Sequence, residues 1–451
     1  MDRAKGILVF SSDILPLPGL PTSGGGLRSW QIIQGLKASG VPVSFSMPGE
    51  DRFLEREYRD RIPEEVRRTS WRYETQDEIV EHFKPSAIVF ANPDLNCLKK
   101  DHGLPILSDM HGPRLIEFEL LSNDDSPQTR GRNIKRKLSN YMRSDFFTCA
   151  GRLQRYYFLS FFLMAGYKLD EIKIEFMPVS LAPELPVPDK DLDERRFIYS
   201  GGFYPWQNPM DSLYAMSEVL AVEKKACLHI FGGSHNVNQD DTLNFAKLRS
   251  TLEQNSFVKF RGYLSRDAVI EEYRKGYVAF EVMARNFERE MAFTTRTIEF
   301  MWAGLPVIYN NYADLSGYIL EYQAGWCVDP ADPVSIKNAI REAIHEPEMV
   351  VAYGKNAQKL VRECFTWDKT IKPVLDFLEN PTFRRREPDM FKTPIPHILA
   401  DSDASDLSSS FSRLIAERDE LRKQLDDLQG RRSIKLTQAV SKVLNKMLGR
   451  D

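Results

Sequence analysis

Thr294, Thr295 and Arg296 lie side by side where the sequence predicts the start of a helix that ends at Gly304. A threonine hydroxyl at this point can cap free backbone N–H groups. The helix dipole, the hydroxyl donors and the arginine charge together suit a diphosphate. Glu299 lies one turn further on, where its carboxylate can accept two hydrogen bonds from a ribose diol. The alternative is an ordinary capped helix with solvated Glu and Arg side chains.

Two glycine-rich turns each follow a predicted strand. Gly24, Gly25 and Gly26 come before a helix predicted from Leu27. The pair Gly201-Gly202 follows the strand predicted at Phe197–Ser200. Glycine lets backbone N–H groups approach a ligand closely, and a helix amino end favours negative charge. A tight strand–helix connection is the alternative for Gly24–Gly26. The spacing is not that of the GxGxxG dinucleotide fingerprint.

His111 is a further candidate, because it follows the strand predicted at Pro105–Asp109. Open α/β sheets bind ligands at the carboxyl ends of their strands. A lone histidine at such a position can equally be a surface or packing residue.

Short apolar runs that alternate with helical patterns indicate parallel α/β units in both halves of the chain. The proline-rich stretch Pro178–Asp193 separates the halves and is interpreted as an inter-domain linker. The fold class is therefore α/β, with two Rossmann-like domains facing a cleft, a frequent location for ligand sites. Strands are predicted at Ile7–Phe10, Val41–Phe45, Ala87–Ala91, Pro105–Asp109, Phe146–Ala150, Phe197–Ser200, Leu228–Phe231, Val258–Phe260, Val278–Val282 and Pro306–Tyr309.

Composition excludes several classes of protein. The chain has 451 residues, 42% of them hydrophobic, and a formal net charge of −3, which gives no support to nucleic-acid binding as its main role. No apolar run approaches the roughly 20 residues that span a bilayer. The amino-terminal apolar stretch is broken by Ser-Ser-Asp and is interpreted as a strand, not a signal peptide. The five scattered cysteines fit a reducing cytoplasm and indicate neither a zinc site nor a disulfide framework.

The segment E-F-M-W-A-G-L-P-V-I at 299–308 resembles the E-A-M-A-x-G-x-P-V-V signature of retaining glycosyltransferases with the GT-B fold, family four. The resemblance extends over roughly residues 5–375. It includes the first glycine-rich loop, the His-Gly pair at 111–112 and the G-W-x-V-D-P run at Gly325–Pro330, in the family's order. Such enzymes bind the acceptor in the first domain and the sugar nucleotide mainly in the second.

The resemblance also assigns roles to individual residues. Glu299 matches the second Glu of the family's E-x7-E pair, which holds the nucleotide ribose, but Met291 stands where the first Glu belongs. Glu290 is our choice for the carboxylate that contacts the sugar, and Glu288 remains open. His111 and the loop Gly24–Gly26 are expected to position the transferred sugar and the acceptor hydroxyl.

A second departure concerns the diphosphate. The family usually has an Arg and a Lys in the turn after the first strand of the second domain, where this chain has Gly202 and Gln207. We expect Arg296, the backbone N–H groups of Gly201 and Gly202, or the pair Thr294 and Thr295 to compensate.

The resemblance implies a metal-independent, hexosyltransferase-like glycosyltransferase without a cofactor, and the cysteine usage places it in the cytoplasm. Its donor is a nucleotide-diphosphate sugar and its acceptor a saccharide or a lipid-linked saccharide, as in polysaccharide or lipopolysaccharide synthesis. The only candidate DxD motif, Asp401-Ser402-Asp403, lies in a polar linker. Two alternatives stay open, a GT-B epimerase or phosphorylase and a non-catalytic scaffold. A thermal-shift panel of nucleotides and sugar nucleotides separates transfer from the scaffold.

The expected domains are an acceptor-side domain at 1–180, a linker at 181–195, a nucleotide-sugar domain at 196–375 and a polar linker at 376–406. Apolar residues at steps of four and three predict a coiled coil over 407–429, which would support a homo-oligomer. A basic amphipathic helix is predicted at 431–450. This helix suits an anionic membrane surface, which implies a peripheral protein on the inner face of the cell membrane. Packing of the helix against the enzyme is the alternative.

Overall fold

The computed structural model describes residues 6–383, except 21, 50–59, 93, 95, 122–126 and 234–244. Its first half forms a six-stranded parallel sheet with the strand order β2-β1-β3-β4-β5-β6. The strands are β1 Ile7–Phe10, β2 Val43–Ser46, β3 Ala87–Phe90, β4 Ile106–Met110, β5 Phe146–Cys149 and β6 Ile174–Phe176.

The second half repeats the architecture in a parallel sheet with the order β12-β11-β10-β7-β8-β9. Its strands are β7 Arg196–Ser200, β8 Cys227–Phe231, β9 Val258–Gly262, β10 Val278–Glu281, β11 Val307–Asn310 and β12 Gly325–Val328. The strands β8, β10 and β11 are fully buried and β7 is buried except at its first residue, as expected of the central strands of a parallel sheet covered on both faces.

Helices cover both sheets. In the first half they are α1 Gly24–Ala38, α2 Glu64–Arg68, α3 Gln76–Phe83, α4 Arg114–Leu121, α5 Pro127–Met142 and α6 Arg152–Met164. In the second half they are α7 Met210–Glu223, α8 Phe245–Leu252, α9 Arg266–Lys275, α10 Phe287–Met291, α11 Thr295–Trp302, α12 Asp314–Tyr322, α13 Pro333–His345, α14 Pro347–Cys364, α15 Trp367–Thr370 and α16 Lys372–Glu379.

The sequence predicted ten of the strands to within a few residues, and it did not assign β6 and β12 as strands. Helix α1 was predicted to begin at Leu27 but begins at Gly24, so the three glycines form its first turn. The reason is the cap: the Ser23 hydroxyl accepts a hydrogen bond from the N–H of Gly25 at 3.1 Å, which starts the helix early.

The chain returns to the first sheet after α14. Ile371, Val374 and Phe377 belong to the apolar core beneath β1 and β3, and the Phe377 ring stacks on Phe146 with centroids 4.5 Å apart. The predicted second domain, 196–375, therefore includes residues that pack on the first sheet. The division of the chain into domains stays a prediction.

Among the described residues, no helix is long and apolar enough to cross a membrane. The predicted polar linker beyond residue 383, the coiled coil at 407–429, the helix at 431–450 and the Asp401–Asp403 motif lie outside the described residues.

Candidate active site

The strand order itself indicates where a ligand binds. In each sheet the chain changes direction between two adjacent strands, β1 and β3 in the first sheet and β7 and β10 in the second. Ligands of open α/β sheets bind outside the carboxyl ends of the strands at such a switch point. In the second sheet the loops after these strands are joined, since the N–H of Ala284 donates to the carbonyl of Asn208 at 2.8 Å. The turn at 201–202 and the segment 282–294 thus meet at one edge.

The first turn of α1 needs glycine for close packing. A Cβ on Gly26 would lie 2.0 Å from the carbonyl oxygen of Ile14, and one on Gly25 would lie 2.9 Å from the Ser12 hydroxyl. Gly24 faces the other sheet, where a Cβ would lie 3.6 Å from the Thr295 hydroxyl of α11. The amino ends of α1 and α11 therefore lie next to each other. That Gly25, Gly26 and α11 bind the donor stays a prediction.

Helix α11 begins where it was predicted, with Thr294 as the residue before its first turn. The expected hydroxyl cap is absent. The Thr294 hydroxyl instead hydrogen-bonds to the hydroxyls of Thr297 and Tyr309, which turns it toward the core. Thr294 therefore leaves the first N–H groups of α11 without a side-chain cap, and uncapped N–H groups at a helix amino end are anion donors.

Arg296 lies against the turn that lacks the family's Arg and Lys. Its guanidinium donates to the carbonyl of Ser200 and to Gln207 Oε1, the latter at 3.1 Å. Gly201 has φ +132°, and a Cβ there would lie 2.2 Å from Arg296 Nη1. Glycine is thus required both by its backbone conformation and by the guanidinium above it. Arg296 of α11 therefore places a cation at the turn where this chain lacks the expected Arg and Lys.

The charge of Arg296 is held by Glu281, whose carboxylate oxygen lies 3.7 Å from Arg296 Nε. Burial alone would lower the pKa of Arg296, but the Glu281 carboxylate raises it above its ordinary value. Arg296 therefore stays charged over the whole physiological pH range.

Glu299 is buried one turn into α11 and forms an ion pair with Arg266, with Nη2 and Oε1 3.0 Å apart. Burial raises the pKa of Glu299, and the Arg266 charge opposes the rise. Arg266 begins α9 and was not identified from the sequence. It orients the carboxylate at the same edge as Arg296.

The two open carboxylates differ in their surroundings. Glu288 is buried and forms a bidentate ion pair with Arg289, with oxygen–nitrogen distances of 2.5 and 2.7 Å. The Glu290 side chain is 34% exposed and pairs at 2.7 Å with Arg285, which is itself 65% exposed. A rigid, desolvated carboxylate suits recognition of a substrate better than a solvated one, so the geometry favours Glu288 over our choice of Glu290.

Glu117 is a site residue that the sequence analysis missed. It lies on α4 in the first half, and its Oε1 is 2.8 Å from the point where a Cβ on Gly112 would lie, beside His111. Burial raises the pKa of Glu117, the Arg114 charge opposes this, and the Glu288 carboxylate adds to the rise. Helix α4 contacts α10, and Glu117 and Glu288 therefore lie close enough for their charges to interact. No motif around Glu117 could have identified it, because the contact joins distant segments.

His111 follows β4, at the sheet edge that also carries the first turn of α1. Burial and the nearby Arg28 charge lower its pKa to about 4, and its Nδ1 has no hydrogen-bond partner among the described residues. The neighbouring Asp109 is fully engaged by Arg28, with two contacts of 2.8 Å that fix the end of the strand. His111 is thus a neutral imidazole at pH 7, able to exchange hydrogen bonds with a ligand hydroxyl.

His111→Gln is expected to make stability less dependent on pH. A histidine whose pKa is about 4 when folded and about 6.5 when unfolded binds its proton mainly in the unfolded state between these values. The wild type therefore loses stability as pH falls through this window. The loss between pH 7.5 and 5 should be about 2 kcal/mol smaller in the variant. Urea unfolding at both pH values measures it, and an equal loss in both proteins would contradict a buried neutral His111.

Within the described part of the chain, one group of side chains has ligand atoms close enough together to hold a metal ion. Ligand atoms of Glu194, Cys227 and His229, near β7 and β8, lie within 4.8 Å of one another. However, Arg196 forms an ion pair with Glu194, and burial together with Arg261 lowers the pKa of His229 to about 4. These arginines oppose the approach of a cation.

Residues 184–360, which include β7–β12 and α11, match the family model described as glycosyl transferases group 1. A search of the curated proteins returned no match.

Solved structures resemble most of the chain in fold. Sucrose-phosphate synthase from Thermosynechococcus elongatus is 16% identical with a TM-score of 0.58, covering 83% of this chain and 98% of its own. HepE from Anabaena, in complex with UDP and glucose, is 14% identical with a TM-score of 0.56, covering 83% and 99%. The chain has the GT-B fold. WaaG, a glycosyltransferase involved in lipopolysaccharide biosynthesis, is 13% identical with a TM-score of 0.53, covering 83% and 100%. The fold class predicted from the sequence is confirmed.

Proposed function

We propose that this GT-B protein transfers a sugar from a nucleotide-diphosphate donor to a saccharide or lipid-linked saccharide acceptor, with retention and without a metal ion. The observation that carries the proposal is the place of the Arg296 guanidinium. It lies at the Gly201 turn, beside the uncapped amino end of α11 and close to the first turn of α1. A diphosphate bound there would present its sugar to the cleft between the two sheets.

The chemistry follows from charge. Cleavage of a sugar–phosphate bond develops positive charge at the anomeric carbon and negative charge on the leaving diphosphate. Arg296 and the first N–H groups of α11 would stabilise that negative charge, and preorganised donors of this kind supply several kcal/mol. Glu288 would accept hydrogen bonds from hydroxyls of the transferred sugar, and neutral His111 would orient the sugar and the acceptor hydroxyl. Retention and metal independence rest on the family resemblance.

A thermal-shift panel tests whether the protein binds a sugar nucleotide and identifies which one. UDP, GDP, ADP, CDP and their common sugar conjugates are added separately to the full chain in EDTA buffer. We expect one nucleoside diphosphate and one of its sugars to raise Tm, because ligand binding to the folded state stabilises it by mass action. A scaffold with a degenerate fold predicts no response to any of them.

Glu299→Ala should separate recognition of the nucleoside from recognition of the phosphates. Loss of a hydrogen-bonded carboxylate costs about 1.5–3 kcal/mol, or roughly 10- to 100-fold in affinity for the bound nucleoside diphosphate. Affinity for inorganic pyrophosphate, which lacks a ribose, should not change. Calorimetric titration of both ligands measures this, with Glu290→Ala as the control. Equal affinity for the nucleotide in Glu299→Ala would remove the ribose assignment.

A GT-B epimerase or phosphorylase remains the second candidate, because Gly202 and Gln207 stand where the transferases have cations. An epimerase would convert a sugar nucleotide without an acceptor, and a phosphorylase would require inorganic phosphate. Product analysis by NMR separates the three reactions and reports the anomeric configuration of any transferred sugar.

A role in cell-surface polysaccharide synthesis would bring the enzyme to a membrane, where a lipid-linked acceptor is presented. The segment 431–450 carries six cations and no acid. Each cation contributes about 1 kcal/mol near anionic headgroups. Deletion of residues 431–451 should therefore abolish sedimentation with anionic liposomes and leave nucleotide affinity unchanged. Wild-type binding should weaken with salt, and equal sedimentation of the truncated protein would exclude this segment as the anchor.

A further inference from the structure

Several polar side chains lie around Asp94, next to the first sheet. Some of their buried polar atoms have no hydrogen-bond partner in the described residues. Asp94 follows β3, Arg114 begins α4, and Arg136, Lys137 and Tyr141 lie on α5; we call these five residues the Asp94 cluster. Asp94 Oδ1, Arg114 Nε, Arg136 Nε and the Tyr141 hydroxyl are buried and have no hydrogen-bond partner in the described parts of the chain. Each such atom costs about 1–3 kcal/mol if it stays unsatisfied.

Positive charge exceeds negative charge in this cluster. Burial would raise the pKa of Asp94, but the charges of Lys137, Arg136 and Arg114 hold it below its ordinary value. Arg114 Nε lies 3.9 Å from Asp94 Oδ2, which is too far for a hydrogen bond. Glu117 also lies close enough to Arg114 and Lys137 to interact with their charges, so two carboxylates face three cations. An excess of buried positive charge is unfavourable unless another anion joins it.

Lys137 shows how little water reaches the cluster. Its side chain is 3% exposed, and its ammonium lies 5.5–5.9 Å from the ring centroids of Tyr141, Tyr157, Phe158 and Phe161. Burial lowers the pKa of Lys137. An anion bound beside it would be weakly screened and strongly attracted.

Arg114 links the cluster to the helix that lies against the second half of the chain. Its side chain is 37% exposed, and it begins α4, which carries Glu117 and contacts α10, the helix of Glu288. Glu117 also feels the charges of Arg114 and Lys137. A ligand group held by the cluster would thus belong to a molecule bound on the first-sheet side of the cleft.

We propose that the Asp94 cluster binds an anionic group, a phosphate or a carboxylate, carried by the acceptor saccharide. Arg114 and Arg136 would donate to its oxygens, and Lys137 would supply a third positive charge. The statement that this molecule is the acceptor rests on the proposed function, whereas the anion site itself does not.

Inorganic phosphate is the first probe of this site. UDP, GDP and ADP are present together at saturating concentration, so that the diphosphate site near Arg296 is filled, and ionic strength is held constant with chloride. We expect phosphate to raise Tm saturably by about 2 °C or more. Arg136→Gln should abolish the shift, and Lys135→Gln, an exposed neighbour on α5, should keep it. Glucose 6-phosphate or glucuronate should also raise Tm, with neutral glucose as the uncharged control, and the stronger of the two identifies the anionic group.

Absence of a phosphate shift in the wild type, or an equal shift in Arg136→Gln, would overturn the anion site. Nucleotide affinity of Arg136→Gln is measured separately and should equal that of the wild type. If no nucleotide binds while the Arg136-dependent phosphate shift persists, the proposed function fails and the anion site stands. If nucleotides bind and the phosphate shift is absent, the anion site fails and the proposed function stands.

Discussion

Arg296→Gln is expected to weaken binding of the nucleoside diphosphate by roughly 10- to 100-fold, because hydrogen bonds to charged groups contribute about 1.5–3 kcal/mol. The guanidinium lies on the Gly201 turn, where the resemblance predicts an Arg and a Lys and this chain has Gly202 and Gln207. Arg296→Lys keeps the charge opposite Glu281 but loses the planar fork, so its affinity should lie between those of Arg296→Gln and the wild type.

Arg285→Gln is the matched control for this prediction. Arg285 is a nearby exposed arginine that pairs with Glu290, so its removal should leave nucleotide affinity unchanged. Calorimetric titration measures all three variants, and circular dichroism verifies that each is folded. Wild-type affinity in a folded Arg296→Gln protein would show that the diphosphate binds elsewhere.

Glu288→Gln is expected to lower kcat by about 100-fold or more, with a small change in KM for the donor. The amide keeps the shape of the carboxylate but loses the charge that pairs with Arg289. An interaction that strengthens as the sugar becomes positive affects turnover more than binding.

Glu290→Gln provides the comparison, because Glu290 is two residues away and pairs with the exposed Arg285. Its kcat should stay within a few-fold of the wild type. An inactive Glu290→Gln together with a normal Glu288→Gln would restore the assignment made from the sequence.

The sequence was informative where the signal is local. Threonine before an apolar period and Gly304 after it predicted α11 within two residues, and the β-branched run Ile7–Phe10 predicted β1. These elements depend on caps, turns and strand periodicity, which neighbouring residues determine.

The remaining features depend on contacts between distant segments. The guanidinium of Arg296 meets the Gly201 turn, 95 residues earlier, only after β7 and β10 pair at the switch point. Glu288 and Glu290 have the same side chain, and only the packing of the short helix α10 distinguishes a buried position from an exposed one. Glu117 and the Asp94 cluster carry no motif, and they become candidate residues through burial and missing partners.

The most direct test of sugar transfer measures the release of nucleoside diphosphate from a sugar nucleotide. The sugar nucleotide is the one selected by the thermal-shift panel, and chromatography quantifies the released nucleoside diphosphate in a buffer that contains EDTA. We expect the wild type to release it in proportion to transferred sugar, and Glu288→Gln to release it at least about 100-fold more slowly. Tight binding of the sugar nucleotide without release or transfer to any saccharide or lipid-linked acceptor tried, or equal release by both proteins, would contradict sugar transfer at this site.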